Sequence, residues 1–240
     1  NLDPSALCAD PVTTFESTGC PMYLYDDNHL NDIEYLLNKD VLFEKIPYMI
    51  AQSLTGDYDE GNSYNWAQWK SFNEDMILGL YIRKMNIEDM KPENCYQDKL
   101  DGNLALLCAE IEAHPETQFK ISIPPYSMLW WDNIYRNGET ESYLYNMEQA
   151  MEKLLTYENV ELYYFLNDRE IVTNLDNYMD LLHFSPEINQ YICDSMIRND
   201  HNVTEANCHE IIEDSRSLAY QVVNELIKPY EDRIKVDIYD

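Results

Sequence analysis

The chain has 240 residues, with 16 Lys and Arg against 45 Asp and Glu, giving a formal charge of −29 at pH 7. That balance repels polyphosphate and supplies no basic stripe, which argues against nucleic-acid binding; no apolar run approaches the roughly 20 residues that a membrane-spanning helix needs. The length suits one domain with a sizeable core, and residues 1–240 read as a single domain.

The sequence begins at Asn1 with neither an initiator Met nor a signal peptide, as a mature product, a trimmed form or a fragment does. Cys8 and Cys20 flank the turn-rich stretch ADPVTTFESTG and form one expected disulfide. NDIEYLLNKDVLFEKIPYMIAQSL (31–54) reads as one or two helices, and TGDYDEGNSYNWAQW (55–69) as a polar loop with aromatic residues. Within that loop, 57–68 is faintly similar to a calcium loop, but its glycine sits one place early and no Glu closes it at the twelfth position.

From residue 97 helical and extended patterns alternate. KLDGNLALLCAEIEAH has apolar residues at helical spacing and stops at Pro115, with Cys108 expected as a buried thiol. QFKISI (118–123) alternates like a strand and runs into Pro124 and Pro125, which open a loop, PPYSMLWW (124–131). ETESYLYNMEQAMEKLLTY (139–157) is a helix with Leu144, Met147, Met151 and Leu154 on one face, and VELYYF (160–165) is a second strand. SPEINQYICDSMI (185–197) is a helix with Ser185 as N-cap and Pro186 at its first position. A polar link, IRNDHNVTEAN, separates Cys193 from Cys208, the second expected disulfide, and contains the sequon Asn202-Val203-Thr204. A final helix spans about 206–227, and RIKVDIYD has the pattern of an edge strand. This rhythm belongs to a mainly parallel sheet covered on both faces, in which active groups collect beyond the carboxyl ends of strands.

Two constellations occupy that position. Asp180 and His183 stand three apart, so one turn brings the carboxylate to the imidazole. A general base needs that arrangement to fix its tautomer and stabilise the imidazolium. The bland alternative is a turn Asp beside a half-buried His satisfied by backbone. In the PPYSMLWW loop, Tyr126 and Ser127 are placed to point into a cleft, while Trp130 and Trp131 either stack on a sugar or acyl chain or cap the core. His29, His114, His201 and His209 have no metal-ligand spacing and read mostly as surface residues. The absence of a C-x-x-C pair leaves no zinc knuckle.

Three segments, YLYDDNHLNDIEYLLNKDVL (23–42), FKISIPPYSMLWW (119–131) and NLDNYMDLLHFSPEINQYI, together resemble the SGNH/GDSL hydrolase superfamily, and most closely its bacterial cell-envelope branch. The resemblance implies a flavodoxin-like three-layer α/β/α fold, here without its first strands. It also implies that Asp180 and His183 are two members of a Ser-His-Asp triad. The expected activity is that of a serine esterase or O-acyltransferase on acyl esters of an envelope glycan, extracytoplasmic, with no cofactor and no metal. The family's Gly-Asp-Ser or Gly-Ser-Ser block follows none of the six glycines. Asn1-Leu2-Asp3 looks like the end of a mid-domain strand, which places the serine half, and with it a possible membrane tether, before residue 1. Ser127 and Ser185 are the serines near His183, and neither occupies a nucleophile turn. One alternative is a non-catalytic module of the same fold that binds glycan or a partner through the tryptophan loop, and another is a calcium-dependent surface domain.

Overall fold

The computed structural model describes residues 1–11, 28, 30, 31, 33, 37–56 and 70–237. Where the sequence reads as one domain, contacts divide the chain into two compact units, Asn1–Pro11 with Ser71–Asp240, and Val12–Lys70. In the first unit α1 (Pro4–Leu7) starts at Asp3, whose carboxylate caps the Ser5 N–H. In the second, a wide turn over Val41–Lys45 continues as α2 (Ile46–Thr55), which Gly56 ends in the left-handed region. The calcium-like loop and Cys20 lie outside the described residues.

The first unit continues with α3 (Glu74–Leu80), β1 (Ile82–Lys84), α4 (Gln97–Ala113), β2 (Phe119–Ile123), α5 (Met128–Arg136), α6 (Thr140–Leu154), β3 (Val160–Tyr164) and α7 (Arg169–Val172). Then come α8 (Pro186–Arg198), β4 (Asn202–Val203), α9 (Cys208–Gln221), which runs into a wide turn over Val222–Leu226, and β5 (Lys235–Asp237). This is an α/β architecture with a small mixed sheet. β2 and β3 run parallel from Phe119↔Val160 to Ile123↔Tyr164, and β4 joins β3 antiparallel at Leu162↔Val203. On the other side of β2, the Leu2 N–H donates to Ser122 O at 2.8 Å.

Strand alternation puts successive β3 side chains on opposite faces. Leu162 and Tyr164 enter the main core, with the Leu144, Met147, Met151 and Leu154 face of α6 and with Ile212 and Leu218 of α9. Tyr163 enters a second, smaller cluster with Phe165 and with Ile192 of α8. β3 is therefore covered on both sides, and its near-continuous apolar run is what such a strand requires.

Three sequence expectations are corrected. PPYSMLWW is a loop only through Ser127: Met128 begins α5, whose Leu129, Trp130, Trp131 and Ile134 are buried. The terminal strand does not extend the main sheet; β5 pairs parallel with β1 as a separate two-stranded sheet. Cys193 and Cys208 are free thiols rather than a disulfide, one exposed on α8 and the other buried at the start of α9. Cys8 is also a free thiol, and Cys108 is buried as expected.

A buried ion pair joins α5 to β1. The fully buried Asp132 accepts from Arg83 Nε at 2.8 Å and Nη2 at 2.9 Å, and from the Tyr81 hydroxyl at 2.7 Å. Arg83 also reaches Glu231 at 2.9 Å, which ties in the residues before β5. At the end of α5, Gly138 has φ +67, and a Cβ there would stand 2.2 Å from Asp89 O, so the chain passing over it admits only glycine. Removing Asp132 leaves the buried Arg83 guanidinium with Glu231 as its remaining carboxylate. Asp132→Ala is expected to lower unfolding free energy by about 3–5 kcal/mol in urea titrations; a loss under about 1 kcal/mol would show that the pair is solvated or replaceable.

Candidate active site

Asp180 and His183 lie between a short 3-10 turn, Leu175–Asn177, and the start of α8. Tyr178 and Phe184 form an antiparallel bridge and the Met179 N–H donates to His183 O at 3.1 Å, so residues 178–184 fold back as a small hairpin. Within it Asp180 Oδ1 accepts the backbone N–H of Leu182 at 2.9 Å and of His183 at 2.8 Å, which shapes the turn. The same carboxylate holds the imidazole, with Nδ1 at 2.8 Å from Oδ2 and 3.0 Å from Oδ1.

An ionised carboxylate only accepts, so Nδ1 carries the proton and, in the neutral ring, Nε2 carries the lone pair. Partial burial by itself raises the Asp180 carboxyl. The N–H groups of His183 and Leu182, with the His183 ring, outweigh that and hold it below its ordinary value of 3.8. The His183 side chain is 52% exposed and that of Asp180 31%. The carboxylate thereby fixes the orientation and the tautomer of the ring.

The hairpin is fastened to the segment leaving β2. Ser127 donates to Leu181 O through its N–H at 3.0 Å and through its hydroxyl at 3.0 Å. The buried Tyr178 hydroxyl donates to Pro125 O at 2.8 Å. The two loops that the sequence places beyond the strand ends do meet, through residues 54 and 53 positions apart.

The four residues expected to line a binding cleft are all buried: Tyr126, Ser127, Trp130 and Trp131. Ser127 acts as a fastening. Tyr126 is raised far above the usual phenol range by burial and by Asp3, to which it is hydrogen-bonded. Trp130 packs edge-on against Tyr126, Trp131 and Tyr143, with ring centres 5.5, 4.9 and 5.5 Å apart. These rings present no open face for a sugar; the reading in which they cap the core is the one that matches their placement. The Ser185 hydroxyl is engaged with the Glu187 carboxylate.

Sequence reasoning passed over two features. Tyr178, the residue that pins the hairpin, carries no local signal, because its partner is far along the chain. His201, read as a surface residue, packs on Phe165 with ring centres 4.6 Å apart and lies 2.9 Å from the Tyr191 hydroxyl, which in turn reaches Asp168 at 3.1 Å. Asn202 of the sequon is tied into the sheet, its amide donating to Leu162 O at 3.3 Å. His209 and His114 are exposed as expected, and His29 lies outside the described residues. Among the described residues no cluster of three or more His, Cys, Asp or Glu is disposed to hold a metal ion.

Comparison with protein-family models, with curated proteins and with solved structures gave no match.

The lowered Asp180 carboxyl has a pH signature of definite sign. A group whose folded value lies below its unfolded one stabilises the fold above the unfolded value, and that share is lost as pH falls through the folded value. Solvent screening at this half-exposed pair keeps the share under about 1 kcal/mol. Urea unfolding of wild type and Asp180→Asn should therefore differ above the ordinary aspartate value of 3.8, and the carboxylate's share of that difference should vanish as pH falls through its lower folded value. Carbon-13 titration of the Asp180 carboxyl should place its midpoint below 3.8, and a midpoint above that value would remove the assigned hydrogen bonds.

Proposed function

We propose that the chain carries the acid-base half of an SGNH-type serine esterase or O-acyltransferase. In this reading the fold is the flavodoxin-like three-layer form with a mainly parallel sheet. The substrate is an acyl ester of an envelope glycan or another small ester, outside the cytoplasm, and no cofactor takes part. A serine hydroxyl attacks the ester carbonyl; His183 Nε2 takes its proton and then delivers it to the departing alkoxide. Water or an acceptor hydroxyl resolves the acyl-enzyme by the same route, and Asp180 orients the ring throughout.

One observation carries the reading. The Asp180 carboxylate is held by two backbone N–H groups and is directed at Nδ1 of a half-exposed histidine. Supporting it, the parallel β2 and β3 deliver their following loops to one end, and β3 is covered on both faces. In a binding module that used the tryptophans, those rings would have to be open, and they are buried.

The test is hydrolysis of nitrophenyl acetate by the whole product of the gene. His183→Ala should cut kcat/KM by about 10³-fold, with far-UV circular dichroism unchanged. Asp180→Asn should lose a comparable factor by presenting an N–H to Nδ1 and so imposing the other tautomer. A fluorophosphonate probe should label one serine in wild type and label it far more slowly in His183→Ala. Turnover of the His183 variant within about twofold of wild type would reject the assignment.

A further inference from the structure

Two of the described thiols converge on one face of α6. Cys8 closes α1, and its sulfur accepts from Asn146 Nδ2 at 3.4 Å. Cys95 sits in the turn before α4, and its sulfur donates to Ser142 Oγ at 3.3 Å. Ser142 and Asn146 are four residues apart on α6, so they are neighbours on its surface, with Cβ atoms about 5–6 Å apart. The two sulfurs thus lie over adjacent turns of one helix. Each strand of chain is anchored there independently. Ser142 Oγ also donates to Pro92 O at 3.0 Å, and Asn103 holds Ala6 O at 3.0 Å and Ala9 O at 2.9 Å.

We propose that Cys8 and Cys95 are a redox pair which closes to a disulfide, stapling the first eleven residues to the turn that precedes α4. Closure requires side-chain rotation and approach of the exposed turn until the Cβ atoms are about 3.5–4.5 Å apart. The co-reactant is a small-molecule disulfide such as oxidised glutathione. The exposed Cys95 thiolate attacks it, forming a mixed disulfide and releasing one glutathione thiol. The Cys8 thiolate then attacks the Cys95 sulfur and expels the second. Two protein thiols are oxidised, one disulfide is reduced to two thiols, and the protons balance.

Access sets the order of these steps. Cys95 is exposed and Cys8 is buried. Burial, with the nearby Glu139 and Cys95, pushes the Cys8 thiol up to about 12 against the opposing hydrogen bond from Asn146. Ring closure is therefore the slow step and accelerates with rising pH. The staple matters because the segment it fixes lies along β2, where Leu2 bonds Ser122 and Asp3 bonds Tyr126, one residue from the Ser127 fastening. This inference stands apart from the catalytic reading.

The full chain, equilibrated with oxidised glutathione at pH 8 and alkylated, is cut with a glutamate-specific protease and trypsin. Cleavage after Glu16 separates Cys8 from Cys20, and cleavage after Glu93 and Lys99 separates Cys95 from Cys108. The expected product is one cross-linked pair carrying Cys8 and Cys95, absent from Cys8→Ser and from Cys95→Ser and lost on reduction. The oxidised protein should melt about 10 °C above the reduced one. Cys95→Ser, at an exposed position, keeps the test valid if the buried Cys8 variant does not fold. Cys8 joined to Cys20 or to any other cysteine, Cys95 stopped at the glutathione adduct, or both thiols alkylated after prolonged oxidation would each overturn the proposal.

Discussion

Ser127 and Tyr178 fasten the 178–184 hairpin to the segment that leaves β2, and the position of both candidate residues follows from that fastening. The two prolines explain why it forms there. Neither Pro124 nor Pro125 has an N–H to donate, so the ladder stops at the strand end; the Tyr126 N–H turns back to Pro124 O at 3.0 Å, and the Pro125 carbonyl is met from across the chain. Tyr178 fills the Pro125 carbonyl. Ser127 then spends both of its donors on Leu181 O before α5 begins. Buried polar groups are costly when unpaired, by about 1–3 kcal/mol each, so this set is satisfied together or lost together.

The same strand end draws the rest of the unit into register. β2 is held by β3 on one side and by Leu2 on the other, and Asp3 starts α1 while bonding Tyr126. β3 divides its side chains between two apolar clusters, one roofed by α6 and α9, the other by α8. Since α8 follows the hairpin directly, burial of Ile192 against Tyr163 and Phe165 pulls the histidine end of the turn toward the strand. The aromatic residues that look in sequence like ligand-stacking surfaces are needed for this interior: Trp130 sits between Tyr126 and Tyr143, linking the β2 loop to α6.

Much of this was legible where the signal is local and repetitive. The α6 face, the alternation in β2, the apolar run of β3 and the Ser185-Pro186 start of α8 each need only neighbours within a few residues, and all four stand where the pattern puts them. Asp180 and His183 were legible for the same reason, at a separation of three. What escaped depends on distance along the chain. β1 and β5 have three residues each and pair across some 150 residues of chain, and neither shows a period long enough to read. α5 was hidden because Pro-Pro before it and two adjacent tryptophans within it look like loop chemistry, although burial of Trp131 and Ile134 makes a short helix stable. The Cys193–Cys208 pairing failed because spacing reports loop length and says nothing of direction, and the two side chains face different environments.

The carboxylate of Asp180 combines two duties that are usually assigned to different residues. Oδ1 closes the turn on two backbone N–H groups, whereas Oδ2 makes the shorter contact to the imidazole. The turn is thereby built by the group that orients the ring, and the ring cannot rotate away without giving up a charge-assisted hydrogen bond at a partly exposed site. The bland reading and the chemical one are consequently not rivals in geometry: a turn-forming Asp is also what a preorganised base requires. In both, the carboxylate fixes the proton on Nδ1 and leaves the lone pair of the neutral ring on Nε2. The chemical reading adds one requirement, that a proton pass through that second nitrogen during the proposed reaction.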